Sequence, residues 1–92
     1  MENSQNNRVV VTGIGALTPL GLDVPTTWEG LITGRSGIDY ITLCDREILE
    51  VKFAGEVKGF DPLNYIDRKE ARRMDRFAQL SVAASREALA SS

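Results

Sequence analysis

Residues 8–12, RVVVT, set the first limit on what this chain can fold into. Three consecutive valines show no alternation of polar and apolar positions. A strand of that kind buries both faces, as in the middle of a parallel sheet. The segment 8–12 is therefore read as a strand, and it needs neighbours on both sides. A chain of 92 residues with only one other strand pattern supplies few of them. The expected fold class is α/β, in incomplete form, with one small domain at most. Exposed edges and an open apolar face would make such a piece prone to aggregate unless a partner or an oligomer covers them.

The valines run into Gly13, a natural place for a positive φ, and then Gly15 and Gly21. A dinucleotide fingerprint needs G-x-G-x-x-G leading straight into a helix, whose N-terminus receives the pyrophosphate. Here the place of the third glycine is taken by Thr18, followed by Pro19, and the helical signal begins only near residue 23. No acidic residue clearly ends a second strand at the usual separation of about 20 residues. The better reading is a sharp turn after a buried strand, with glycines allowing close backbone packing. A nucleotide-binding α/β domain stands as the weaker alternative.

Residues 23–33 read as a helix. Asp23 caps it, Pro25 is tolerated in its first turn, and Gly34 ends it. Val24, Trp28, Leu31 and Ile32 form one apolar stripe. Gly30 inside it either permits a close backbone contact or marks a weak helix. Residues 35–50 read as loop with at most a short element. Residues 51–58 alternate as a half-exposed strand, with Val51, Phe53, Gly55 and Val57 on one side. Asp61 and Pro62 mark a single helical turn. From Asp67 to about Ala90 the pattern is helical. Asp67 and Glu70 have capping-box spacing, and Asp75 offers a second cap, so two helices broken near Met74 are an open alternative to one. Residues 1–7 read as a polar, flexible tail without the apolar core of a secretory signal, and residues 8–92 as the folded unit.

Composition removes several chemistries. The chain has no histidine and one cysteine, Cys44. The commonest general base is absent, and a zinc site from one cysteine is not expected. One cysteine forms no internal disulfide, which fits a cytoplasmic setting. The apolar runs are far shorter than the roughly 20 residues of a membrane span. Cys44, in ITLCDRE, stands beside Asp45 and Glu47, whereas a reactive thiolate wants positive neighbours. It reads as a small loop side chain.

The net charge is -2, and it is unevenly spread. Residues 1–50 carry seven acids and three bases; residues 51–92 carry six acids and eight bases. Most of the positive surplus lies in RKEARRMDR, residues 68–76. On one continuous helix, Lys69, Arg72, Arg73 and Arg76 share a face, with Ala71, Met74, Ala78, Ser81 and Ser85 roughly opposite as a close-packing side. Like charges at this spacing repel, and cations in a first turn oppose the helix dipole. The cluster is mildly destabilising unless it meets an acidic partner. A merely solvated face and a nucleic-acid surface are the other readings, the latter opposed by the acidic overall balance.

Three ordered segments carry a family resemblance: RVVVTGIGALTPLG with TWEGLITGRSGI, then KFAGEVKGFDP at 52–62, then IDRKEARRMDRFAQLSVAASREAL at 66–89. Together they resemble the N-terminal portion of the beta-ketoacyl-acyl-carrier-protein synthases, closest to the elongating type II enzymes. The resemblance implies a thiolase-like fold, of which this would be the N-terminal part of the first α/β half, in a homodimer. It implies a condensation in which an acyl group on a cysteine is attacked by the carbanion left when malonyl-carrier protein loses CO2, as in fatty-acid elongation. Two histidines assist, and no cofactor is needed beyond the phosphopantetheine of the acyl carrier protein. Neither the histidines nor the nucleophilic cysteine is matched here, and Cys44 does not stand in the nucleophile's context. No residue of this chain is expected to be catalytic, and the 92 residues alone are expected to be inactive. By position in the motif, Lys69, Arg72 and Arg73 match the family's carrier-docking bases, with Arg68 and Arg76 as neighbours. A non-catalytic carrier-binding or dimerisation module is the alternative.

Overall fold

A computed structural model describes residues 7–92. All but the last residue of the expected tail, 1–7, lies outside them. The described chain is a small mixed assembly of three helices and one two-stranded ribbon.

Helix α1 spans Val24–Ile32. Its capping follows the sequence: the Thr26 amide donates to Asp23 Oδ1 at 2.8 Å, proline stands in the first turn, and Gly34 reverses the chain at φ +74°. Gly30 is the helix's one buried residue. A Cβ there would lie 2.9 Å from Arg35 Nη2 and 3.1 Å from Leu20 Cβ, so close contact is why this position is glycine. Arg35 in turn donates to the Leu20 carbonyl. The expected apolar stripe does not become a core face. Trp28, Leu31 and Ile32 are exposed, because no element of the described chain packs over them.

Strands β1 (Ile38–Tyr40) and β2 (Phe53–Gly55) pair antiparallel, with Ile38 opposite Gly55 and Tyr40 opposite Phe53. The strand expected over 51–58 is thus reduced to three residues, and its apolar members Val51 and Phe53 face solvent. The loop expected over 35–50 contains β1 and a 3₁₀ turn at Arg46–Ile48. A second 3₁₀ turn, Pro62–Asn64, stands where Asp61 and Pro62 place it, with the Leu63 amide donating to Asp61 Oδ1 at 3.0 Å. It packs on both following helices.

The long helical pattern resolves into α2 (Arg68–Arg72) and α3 (Arg76–Ser91). Asp67 accepts from the Lys69 amide at 3.3 Å. The Gln79 side chain reaches back from α3 and donates to the Ala71 carbonyl at 3.0 Å, adding to the bond that carbonyl accepts from the Met74 amide at 3.2 Å. Ala71 and Ala83 are the only buried apolar side chains among the described residues.

The main correction concerns residues 8–12. No strand forms there, and Val9, Val10 and Val11 are 93%, 65% and 81% exposed. A strand exists through its ladder, and β1 and β2 pair only with each other. Gly13 does not take a positive φ either; among the described residues only Gly34 and Gly59 do.

Candidate docking surface

Two places on the molecule bear on function, the glycine loop and the basic segment. The glycine loop lies against the C-terminal half of α3. A Cβ on Gly15 would lie 2.8 Å from the Ala84 carbonyl carbon and 2.9 Å from the Ala88 nitrogen. A Cβ on Gly13 would run into the Ala88 carbonyl oxygen. These glycines serve close backbone packing. Ser91 lies at the same junction: its Oγ accepts from the Ile14 amide at 3.0 Å, and its single hydroxyl proton has the Ala88 carbonyl at 3.1 Å and the Ile14 carbonyl at 3.2 Å within reach.

Glu87 completes the junction. Its Oε1 accepts from the Ala16 amide and its Oε2 from the Val24 amide, both at 2.8 Å. One carboxylate therefore takes a loop N–H and an N–H from the first turn of α1. Those are the donors and the positive helix end that a bound phosphate would use. The nucleotide reading loses its site to an internal side chain. Sequence reasoning did not single out Glu87. Its one legible signal is an acid among small residues, Ala84, Ala88 and Ser91, on one face of α3.

The side expected to pack does so in part: Ala71 is buried and Met74 and Ala78 are half-buried, while Ser81 and Ser85 are exposed. Further along α3 the packed residues are Ala83, buried, and Ala84, Glu87 and Ala88, half-buried. The small residues that matter are those opposite the glycines.

The basic segment is divided by the helix break. Lys69 and Arg72 belong to α2, Arg73 is its C-cap, and Arg76 opens α3, so the four do not share one continuous helical face. Arg73 takes φ -93° and ψ -2°, and its amide bonds the Glu70 carbonyl at 3.1 Å, a tightened last turn. Arg68, Lys69, Arg72 and Arg73 are exposed and pair with no acidic side chain among the described residues. Arg76 differs. Its Nη2 donates to the Val57 carbonyl at 2.8 Å, and its guanidinium carbon lies 5.6 Å from the centre of the Phe60 ring.

Cys44 is exposed and unbridged, in the loop before the first 3₁₀ turn. Among the described residues no cluster of His, Cys, Asp and Glu could hold a metal ion, and no helix is long and apolar enough to cross a membrane.

The family model for the beta-ketoacyl synthase N-terminal domain matches residues 6–92. The chain belongs to this family. It is 57% identical over 86 residues to the 3-oxoacyl-[acyl-carrier-protein] synthase 2 of Staphylococcus aureus (strain COL), an alignment covering 94% of this chain and 21% of that protein. With the protein of the same name from Synechocystis sp. (strain ATCC 27184 / PCC 6803 / Kazusa) it shares 49% over 89 residues, 97% of this chain and again 21% of the relative. The chain spans about a fifth of the length of the curated relatives it matches. For a beta-ketoacyl synthase N-terminal domain, the three segments singled out in the sequence are thus family segments. In the structure they build the glycine-loop junction, the ribbon and the basic break between α2 and α3.

Proposed function

We propose that this chain is the N-terminal part of a 3-oxoacyl-acyl-carrier-protein synthase of fatty-acid elongation. The observation that carries the reading is the 57% identity over 94% of the chain to a synthase of that name. In the reaction, an acyl group is first held as a thioester on a cysteine. Malonyl-carrier protein then loses CO2, its carbanion attacks the acyl carbonyl, and the cysteine thiolate leaves. Nucleophile and polarising groups are what such acyl transfer needs. This stretch supplies neither, and they would come from the four fifths of the family's length beyond it. The whole protein would be a cytoplasmic homodimer with a thiolase-like fold.

The contribution of these 92 residues is docking. Lys69, Arg72 and Arg73, with Arg68 beside them, offer exposed cations to an acidic acyl carrier protein. Charges of this kind raise the association rate and select the partner more than they add raw affinity. The phosphopantetheine arrives on the carrier, so the chain needs no cofactor of its own. The exposure of these four bases, unpaired among the described residues, also suits a second reading, a binding module without catalysis. Assay of the whole polypeptide with acyl and malonyl carrier substrates separates the two. Release of CO2 with formation of 3-oxoacyl carrier supports the synthase, while carrier binding without condensation leaves the binding module. Charge reversal at Lys69, Arg72 and Arg73 should slow carrier association and flatten its salt dependence. Unchanged association would remove the docking role.

A further inference from the structure

We propose that Arg76 does not dock the partner but positions the residues that do. This rests on the docking reading of Lys69, Arg72 and Arg73. A cation at the first position of a sixteen-residue helix opposes the helix dipole, so its place there calls for compensation. The compensation is visible. The guanidinium donates to the Val57 carbonyl at 2.8 Å and lies over Phe60, 5.6 Å from the ring centre. Phe60 stacks in turn on Tyr65, with ring centres 5.8 Å apart and planes 22° from parallel. Tyr65 closes the 3₁₀ turn Pro62–Asn64, on which both α2 and α3 pack.

One side chain from α3 thereby ties down the segment that carries α2. Gln79, one turn further along α3, ties down the C-terminal end of α2 itself through the Ala71 carbonyl. Helix α2 has five residues, too few to hold a shape by its own hydrogen bonds. The basic groups on it and on its C-cap keep their spacing only as well as this mount holds them. Arg76 engages Val57 and Phe60, whereas Lys69, Arg72 and Arg73 pair with no acidic side chain among the described residues.

The test is a double-mutant cycle of Arg76→Met with Phe60→Leu, read by affinity for a holo acyl carrier protein, beside amide hydrogen exchange. If Arg76 acts through Phe60, Arg76→Met weakens carrier binding roughly tenfold alone and much less in the Phe60→Leu background. The same loss in both backgrounds would mean that Arg76 does not act through Phe60, and would overturn the proposal. Exchange at the Ala71, Arg73 and Met74 amides should accelerate in Arg76→Met while that of the Thr27 amide in α1 stays as it was. No acceleration is equally fatal. Arg76→Lys spares the fold and keeps the charge but loses the planar group. A weaker affinity with unaltered salt dependence supports positioning, and wild-type affinity refutes it. Charge reversal of Lys69, Arg72 and Arg73 stands as the control. If carrier binding ignores it, the docking reading fails and takes this one with it. If binding responds to it but the cycle is additive, only the role given to Arg76 fails.

Discussion

At the scale of single residues, two glycines with different reasons make a usable contrast. Gly15 faces backbone atoms of α3 that no rotamer change can move aside, so Gly15→Ala must push the loop off the helix. The cost should be about 1–3 kcal/mol, that of overpacking. Gly34 has open space around it, and Gly34→Ala costs only the strain of φ +74°, about 1 kcal/mol. Thermal unfolding of the whole protein should rank Gly15→Ala as the more damaging, and the reverse order would contradict the packing argument. Glu87→Gln should also destabilise, by about 1–3 kcal/mol. An amide offers one oxygen where the carboxylate offers two, and its NH₂ group would face a backbone N–H. The same melts read the effect, and an unchanged midpoint would deny Glu87 its bridging role. Two carboxylates are held below their ordinary values. Hydrogen bonding to the Thr26 hydroxyl, and then to its amide, holds Asp23 below its ordinary 3.8. The Leu43 amide, helped by Thr42 and Lys58, holds Glu56 below its ordinary 4.5. A depressed folded value means stability that is fully present above the ordinary value and lost as pH falls through the folded one. Asp23→Asn keeps a capping oxygen but does not titrate. It should flatten the acid limb of the melting temperature below the ordinary value of Asp23, and a limb of unchanged steepness would show that Asp23 is not involved.

At the scale of elements, caps were legible and partners were not. Asp23, Gly34, Asp61 with Pro62, and the alternative break near Met74 all stand where the sequence puts them, because capping depends on the residue and its next three neighbours. The three valines did not become a strand, because a ladder needs a partner that no local pattern reveals. The stripe on α1 fails in the same way, as periodicity tells which face is apolar and not whether anything covers it. The basic residues of 68–76 were legible as a charge cluster. Their division between two helices, and the hold of Arg76 on Phe60, depend on a loop sixteen to nineteen residues earlier that spacing cannot place. Caps that look alike in sequence also differ in the structure. Asp23 bonds an amide of its helix, while the Asp75 side chain makes no capping bond to α3. Asp23→Ala should therefore cost about 1 kcal/mol, and Asp75→Ala only the few tenths of a charge near a helix N-terminus. Equal costs in the same unfolding measurement would mean that side-chain capping is not what separates them.

At the scale of the whole molecule, the dimensions argue that these residues do not close a core by themselves. The radius of gyration is 17.4 Å and the extents are 61 × 38 × 23 Å. A compact domain of this length would have a radius of about 12 Å. The accessible surface is 7044 Å², against roughly 5,300 Å² for a compact monomer of this mass. The excess is about twice the ~800 Å² that each partner gives to a standard interface. Much of it is apolar, with Val9, Val11, Ile48, Phe77 and Leu89 each more than 70% exposed. Apolar surface of that extent is driven to find cover. In a synthase polypeptide of the family's length, the remaining four fifths would provide it. Without them the only cover available is another copy. Expressed alone, the 92-residue chain should sediment as dimers or larger species at micromolar concentration and bind a dye that reports exposed apolar surface. It should also form no 3-oxoacyl carrier from acyl and malonyl carrier substrates. Co-expression with a polypeptide corresponding to the four fifths of the relatives' length that this chain does not span should suppress both the self-association and the dye binding. A monodisperse, dye-silent monomer would mean that the chain closes its own core, and that the open apolar faces of this structure do not persist in solution.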